Sequence, residues 1–199
     1  MLRATVFTTV LMFVGVSSAS ATTPEEVKAL IDSAMAAKSQ GNFDSALTVL
    51  QTALKMAPGN HDVLVALGRT YGAKRDLAGA EKWFKKALAK RPSSVDAKRF
   101  LALTYTHMGK MKEGLRLAKE AVKQAPKRAE THHLLADIYM ALGKRKLELK
   151  HRKQVVKLAP KSVEGHLRLA VAYQANGNLN RALKHAKKTV KMAPKLLDA

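Results

Sequence analysis

The chain reads as an all-α solenoid of five tandem helix–turn–helix units, each of roughly 34 residues. Three observations predict it. Five of the six prolines, Pro58, Pro92, Pro126, Pro160 and Pro194, fall one such interval apart. All four tyrosines, Tyr71, Tyr105, Tyr139 and Tyr173, keep the same spacing. Ala and Leu dominate a composition with 5% aromatics, and such residues favour helix over strand. A repeat of this length is one helical hairpin, which buries its apolar face only by stacking on a neighbour.

The elements follow in order. Residues 1–21 open with Met1-Leu2-Arg3, continue as an apolar run from Ala4 to Val16 and end Ser17-Ser18-Ala19-Ser20-Ala21. This is the three-part layout of a secretory signal peptide, with cleavage expected after Ala21. The apolar run is about 13 residues, short of the roughly 20 that cross a bilayer as a helix. Residues 22–26 form a short lead. The units then occupy 27–60, 61–94, 95–128, 129–162 and 163–196, leaving a tail at 197–199.

In the first unit Ala37 takes the tyrosine position, as in an end unit. The second shows the pattern most completely. Leu64, Leu67, Gly68 and Tyr71 form one stripe on its first helix. A turn is expected near Arg75-Asp76. Leu77, Ala80, Phe84, Ala87 and Leu88 form the stripe of its second helix, and Pro92 stops it. Ser93 or Ser94 can cap the next helix, as Asn60 and Ser162 can in their units. Gly41, Gly109, Gly143 and Gly177 recur between paired helices, where a left-handed residue often ends a helix. The fourth unit departs: Glu148 and Arg152 stand where the second has Ala80 and Phe84. Buried singly they are costly, so they are expected to pair at i, i+4 or to turn to solvent, in a loose hairpin or at a deliberate hinge or partner site. The fifth unit ends at Leu196-Leu197-Asp198-Ala199 with no polar capping helix, which predicts an uncovered apolar end open to self-association or a docked partner.

The stretch Leu64-x2-Leu67-Gly68-x2-Tyr71, then Ala80-x3-Phe84 and Pro92, resembles the tetratricopeptide repeat (TPR), lacking only its leading Trp. The resemblance spans nearly all of the chain after residue 21. It implies a right-handed superhelix with a concave groove lined by the first helix of each unit, suited to a peptide segment. The groove positions so implied are Ile31, Met35, Val65, Arg69, Arg99, Leu103, His133, Asp137, Leu167 and Val171. Chaperone-binding members of the family use Asn with Lys or Arg at such positions to hold a terminal carboxylate. Asn is absent from all of these, which speaks against that activity.

Charge adds a second surface. The formal net charge is +21, from 36 basic and 15 acidic residues. Counted by unit it is +1, +5, +6, +5 and +6, so the field belongs to units two to five. Lys82, Arg116, Lys150 and Lys184 share one column of the repeat, Lys85, Lys119, Lys153 and Lys187 a second, and Lys123, Lys157 and Lys191 a third. Stacked units turn these columns into basic ladders on the convex face, either a solvated surface or a site for anions.

Seven histidines raise the question of metal. His132 and His166 share one column, and His151 and His185 another, so each like pair sits roughly 10 Å apart, too far for one zinc ion. No cysteine, Gly-rich phosphate loop or His-Glu-x-x-His is present, so neither cofactor nor enzymatic activity is expected. The sequence predicts an exported scaffold, periplasmic or secreted. Its groove would take a protein segment and its basic face an acidic partner. The alternative is direct binding of an anionic phospholipid or polysaccharide such as lipopolysaccharide; nucleic acid ranks last, because export separates the chain from it.

Overall fold

The computed structural model describes residues 23–194. The expected signal peptide, Thr22 and residues 195–199, with the expected tail, lie outside the described residues. Ten helices run through this span: α1 Pro24–Ser39, α2 Phe43–Met56, α3 His61–Ala73, α4 Leu77–Lys90, α5 Val95–His107, α6 Met111–Gln124, α7 Ala129–Ala141, α8 Arg145–Leu158, α9 Val163–Ala175 and α10 Leu179–Met192. They form five hairpins, and each second helix packs on the first helix of the next unit. Successive first helices also touch, α1 with α3, α3 with α5 and α5 with α7, whereas successive second helices do not. The first helices therefore line the inside of the curve and the second helices the outside.

Local chemistry sets the ends. Thr23 and Glu26 close a capping box, so α1 begins at Pro24, inside the segment expected as a lead. Asn60, Ser94 and Ser162 accept backbone N–H bonds at the starts of α3, α5 and α9, which settles the choice between the two serines for Ser94. Gly41, Gly109, Gly143 and Gly177 close their first helices at φ 67–81°. In the second unit Arg75 occupies that column at φ 66°, a conformation that a side chain disfavours by about 1–2 kcal/mol.

The apolar core runs both within each hairpin and across the junctions between hairpins. Leu47, Leu50 and Ala53 pack with Val63, Ala66 and Leu67 across the first junction. Ala80, Phe84 and Ala87 do so with Ala97, Leu101 and Tyr105 across the second. Gly68 is required where the Phe84 ring lies: a Cβ there would sit 2.5 Å from a ring carbon.

The fourth unit keeps this geometry with different chemistry. Glu148 and Arg152 do not turn to solvent; both are buried, Arg152 at 1% exposure. Arg152 Nη2 donates to Asp137 Oδ1 on α7 at 2.6 Å, and its Nε lies 3.5 Å from Glu148 Oε1. The expected i, i+4 pair forms, and Asp137 completes it. The hairpin is packed as closely as its neighbours, not loosened, because the third charge compensates the guanidinium that two helices enclose.

Candidate groove and basic face

The groove positions on α3, α5 and α7, with Ile31 of α1, converge on two cavities, while Met35 and those of α9 do not. The first cavity, of about 610 Å³, is lined by Ile31, Val65, Arg69 and Arg99 with Arg91, Arg128, His61 and Phe100. Phe100 is its platform. Its ring stacks on Phe84 at 5.7 Å, so the core of the second unit fixes it. The guanidinium carbons of Arg69 and Arg99 lie 5.1 and 4.0 Å from its centroid. Arg128 makes a two-pronged contact with Asp96, Nη1 donating at 3.1 Å and Nη2 at 2.8 Å. Burial alone would raise the Asp96 carboxyl, but Arg128 and Arg99 outweigh it and hold it below the ordinary range.

Charges within this cavity are not fully spent. Arg69 forms no ion pair among the described residues, and Arg91 reaches Asp62 only at 3.9 Å. Burial, with Arg128 nearby, makes the Arg99 guanidinium less willing to stay charged despite Asp96. Its Nε is buried without a hydrogen-bond partner. His61 Nδ1 donates to Asp62 at 2.8 Å, yet its Nε2, on a side chain 8% exposed, is equally unpartnered. Orphaned buried polar atoms are expensive, and an acceptor-bearing ligand would satisfy Arg99 Nε–H; His61 Nε2, on a neutral ring whose Nδ1 carries the proton, is itself an acceptor and would take a donor instead.

The second cavity, of about 440 Å³, lies one step along and includes Arg99, Leu103, His133 and Asp137 with Glu130 and Glu164. Its acids are already engaged. Burial would raise the Asp137 carboxyl, but hydrogen bonds from His133 and Arg152 hold it low. Arg168 pairs with Glu164 at 2.7 Å. Asp137 is thus first a partner for Arg152. Met35, expected in the groove, packs against the core of the first two units. Val65 lines the first cavity but is buried in its wall, 9% exposed. Leu167 and Val171 stand exposed on α9 and line neither cavity.

Phe100, Arg91, Arg128 and His61 were missed by the sequence reading. A signal existed: arginines occupy the groove while the ladder columns are lysine except at Arg116, and arginine is the better two-pronged, ring-stacking cation. The ladder residues, Lys82, Lys85, Arg116, Lys119, Lys123, Lys150, Lys153, Lys157, Lys184, Lys187 and Lys191, are all exposed on α4, α6, α8 and α10. Lys85 pairs with Glu81 and Arg116 with Glu120, each at 2.6 Å.

The histidines meet across columns, not along them. His132 and His151 approach Nδ1 to Nδ1 at 2.9 Å, and His166 and His185 repeat this at 2.9 Å. His132 Nε2 donates to the Pro126 carbonyl, so in the neutral ring its Nδ1 accepts from His151. Burial, the His132 ring and Lys150 push His151 down to about 4, and His185 is lowered for matching reasons: burial, His166, Lys184 and Lys188. The partners of each pair are 19 residues apart, one hairpin crossing, which comparison at the repeat period overlooks. Among the described residues no group of three or more His, Cys, Asp or Glu could hold a metal ion, and no helix is long and apolar enough to cross a membrane.

A curved stack of helical hairpins with an arginine-lined inner groove defines a class of protein that binds other proteins. The chain belongs to the tetratricopeptide repeat family: sequence models of that repeat match residues 31–95, 65–129 and 167–198. No curated protein sequence matches the chain. Among solved structures it is similar to a thermophilic TPR protein of Thermus thermophilus at 26% identity, covering 86% of this chain and 94% of that one with a TM-score of 0.75. It also shares its fold with PilF of Pseudomonas aeruginosa at 17% identity, 85% and 77% coverage and a TM-score of 0.77. MamA of Desulfovibrio magneticus matches at 19% identity, 85% and 96% coverage and a TM-score of 0.69. The fold is that of a protein–protein interaction scaffold, and no catalytic family is indicated.

Proposed function

We propose that the protein is an exported, non-enzymatic adaptor that holds an acidic segment of a partner protein in its groove. The observation that carries this is the arginine cavity: Arg69, Arg91, Arg99 and Arg128 around Phe100, with Arg99 Nε buried and unpartnered. Aspartate or glutamate side chains would accept from these guanidinium groups in pairs, while a neighbouring apolar residue rests on Leu103. Export is supported by the order of residues 1–21, a short cationic start, an apolar run and an Ala-Ser-Ala end.

Selection from a random dodecapeptide library on the full chain tests the reading. The selected sequences should be enriched in acidic residues and should lose affinity at least tenfold, about 1.4 kcal/mol, when Arg69→Glu and Arg91→Glu are combined. Reversing Lys119 should change little. Selected sequences without acidic enrichment would remove the proposal.

The exposed ladders favour a second reading, binding of an anionic phospholipid or lipopolysaccharide surface by the outer face. Only Lys85 and Arg116 among these residues have a carboxylate partner within the described part of the chain, so the rest of the charge is free to attract anions. Reversal of Lys150, Lys153, Lys184 and Lys187 to Glu should abolish sedimentation with vesicles carrying anionic lipid. Continued sedimentation at physiological salt would exclude it.

A further inference from the structure

The first and last described helices present different faces. Within the stack, each second helix offers the next unit a face of four positions spaced i, i+4, i+7 and i+11. On α2 these are Phe43, Leu47, Leu50 and Leu54 and on α6 Met111, Leu115, Ala118 and Val122, all buried or half-buried; on α8 Leu149, Arg152 and Val156 are so, and only Arg145 at the first position is exposed. The corresponding residues of α10 are Leu179, Leu183, Ala186 and Val190. There the leucines are 66% and 55% exposed and Val190 38%. The last described helix thus presents a complete junction face that no described residue covers.

At the other end, the first helices receive their neighbour through a second set of positions. Val63, Leu67 and Thr70 on α3, Ala97, Leu101 and Thr104 on α5, Thr131, Leu135 and Ile138 on α7 and Gly165, Leu169 and Ala172 on α9 are all buried. On α1 the same columns hold Ala29, Ser33 and Ala36, and all three are exposed. Small side chains there leave room for leucines to enter. The charges also match. On α1 the acids Glu25, Glu26 and Asp32 outnumber Lys28 and Lys38, whereas α10 carries Arg181, Lys184, Lys187, Lys188 and Lys191 and no acid.

We infer that α10 of one molecule docks on α1 of a second copy, head to tail, repeating the geometry of α8 on α9. Tail-to-tail pairing would set two α10 helices of charge +5 face to face, while head-to-tail contact sets that helix on α1, whose net charge is −1. Serine in the leucine column makes this junction weaker than an internal one, so association is reversible and concentration-dependent. The contact is heterologous and does not close on itself, so it extends as a chain and not as a defined dimer.

Sedimentation velocity of the full chain should show the mean mass rising with concentration up to about 0.5 mM, corresponding to weak affinity, and falling back in about 0.5 M salt. Leu183→Glu blocks the tail and Asp32→Lys blocks the head. Both residues are exposed, so each variant should keep its helical circular dichroism and remain monomeric alone. Mixed in equal amounts, the two should form a species of twice the monomer mass and nothing larger, because each retains the end that the other lacks. A wild-type chain that stays monomeric across this range overturns the inference. So does association that survives in either variant alone, or a mixture that remains monomeric while the wild type associates.

Discussion

The second and fourth units place different chemistry at the same two positions of the same hairpin. In the second, Ala80 and Phe84 make an apolar junction, and the Phe84 ring seats Phe100, which carries Arg69 and Arg99. In the fourth, Glu148 and Arg152 replace them, and Arg152 crosses to hold Asp137 at the groove. Both solutions leave the helices equally well packed. The backbone period therefore tolerates either chemistry, provided that the buried charges are compensated; Arg152 Nε and Nη1 are still left without a hydrogen bond. What differs is how each unit responds to the loss of one.

The sharpest way to break the comparison is Arg152→Ala. It leaves buried Glu148 without a cation and Asp137 with only His133 and Arg168, and unfolding should cost about 3–5 kcal/mol less, read as a lower urea midpoint at unchanged slope. Combining Glu148→Ala with Arg152→Phe imports the chemistry of the second unit and should be close to neutral. If the single change were equally mild, the buried pair would not be holding the hairpin.

In the second unit the sensitive point is steric. Gly68→Ala should destabilise by about 1–3 kcal/mol, because the new methyl meets the Phe84 ring, and adding Phe84→Leu should recover part of the loss. Equal stability of Gly68→Ala and wild type would show that the ring moves freely. A smaller effect of opposite sign is expected at the turn of the same unit. Arg75→Gly should raise stability by about 1 kcal/mol by relieving the positive φ, while replacing Gly109 by Arg should lower it.

The smallest effect separates the units by pH. His151 titrates near 4 in the folded chain against an ordinary value of 6.5, so the unfolded chain binds more protons between these limits. Stability contributed here is full above about pH 7 and declines as pH falls from 6.5 towards 4. Solvent screens the half-exposed ring, so the slope is shallow. Putting leucine, the residue of the third unit at Leu117, at both His151 and His185 should flatten the melting temperature across that window. An unchanged slope in this variant would assign the pH dependence to other groups.

Prolines, tyrosines and caps spaced along one chain were enough to read the repeat, the helix count and the basic columns, because these depend on residues close in sequence. Which arginine joins which was not readable. Arg91 belongs to the second unit, Arg128 to the third and Phe100 to α5, and only stacking brings them to one cavity. The histidine columns show the same divide: the spacing within each was plain, but the contact runs from one column to the other, across the hairpin.

The sequence by itself determined that five hairpins would form and stack, since helix formation and turn chemistry are local and a repeated apolar stripe has one economical way to hide. Only the tertiary structure decided where the charge would go unspent. Coulomb energy and hydrogen bonding act between atoms brought together in space, and those distances come into being when one unit settles on the next.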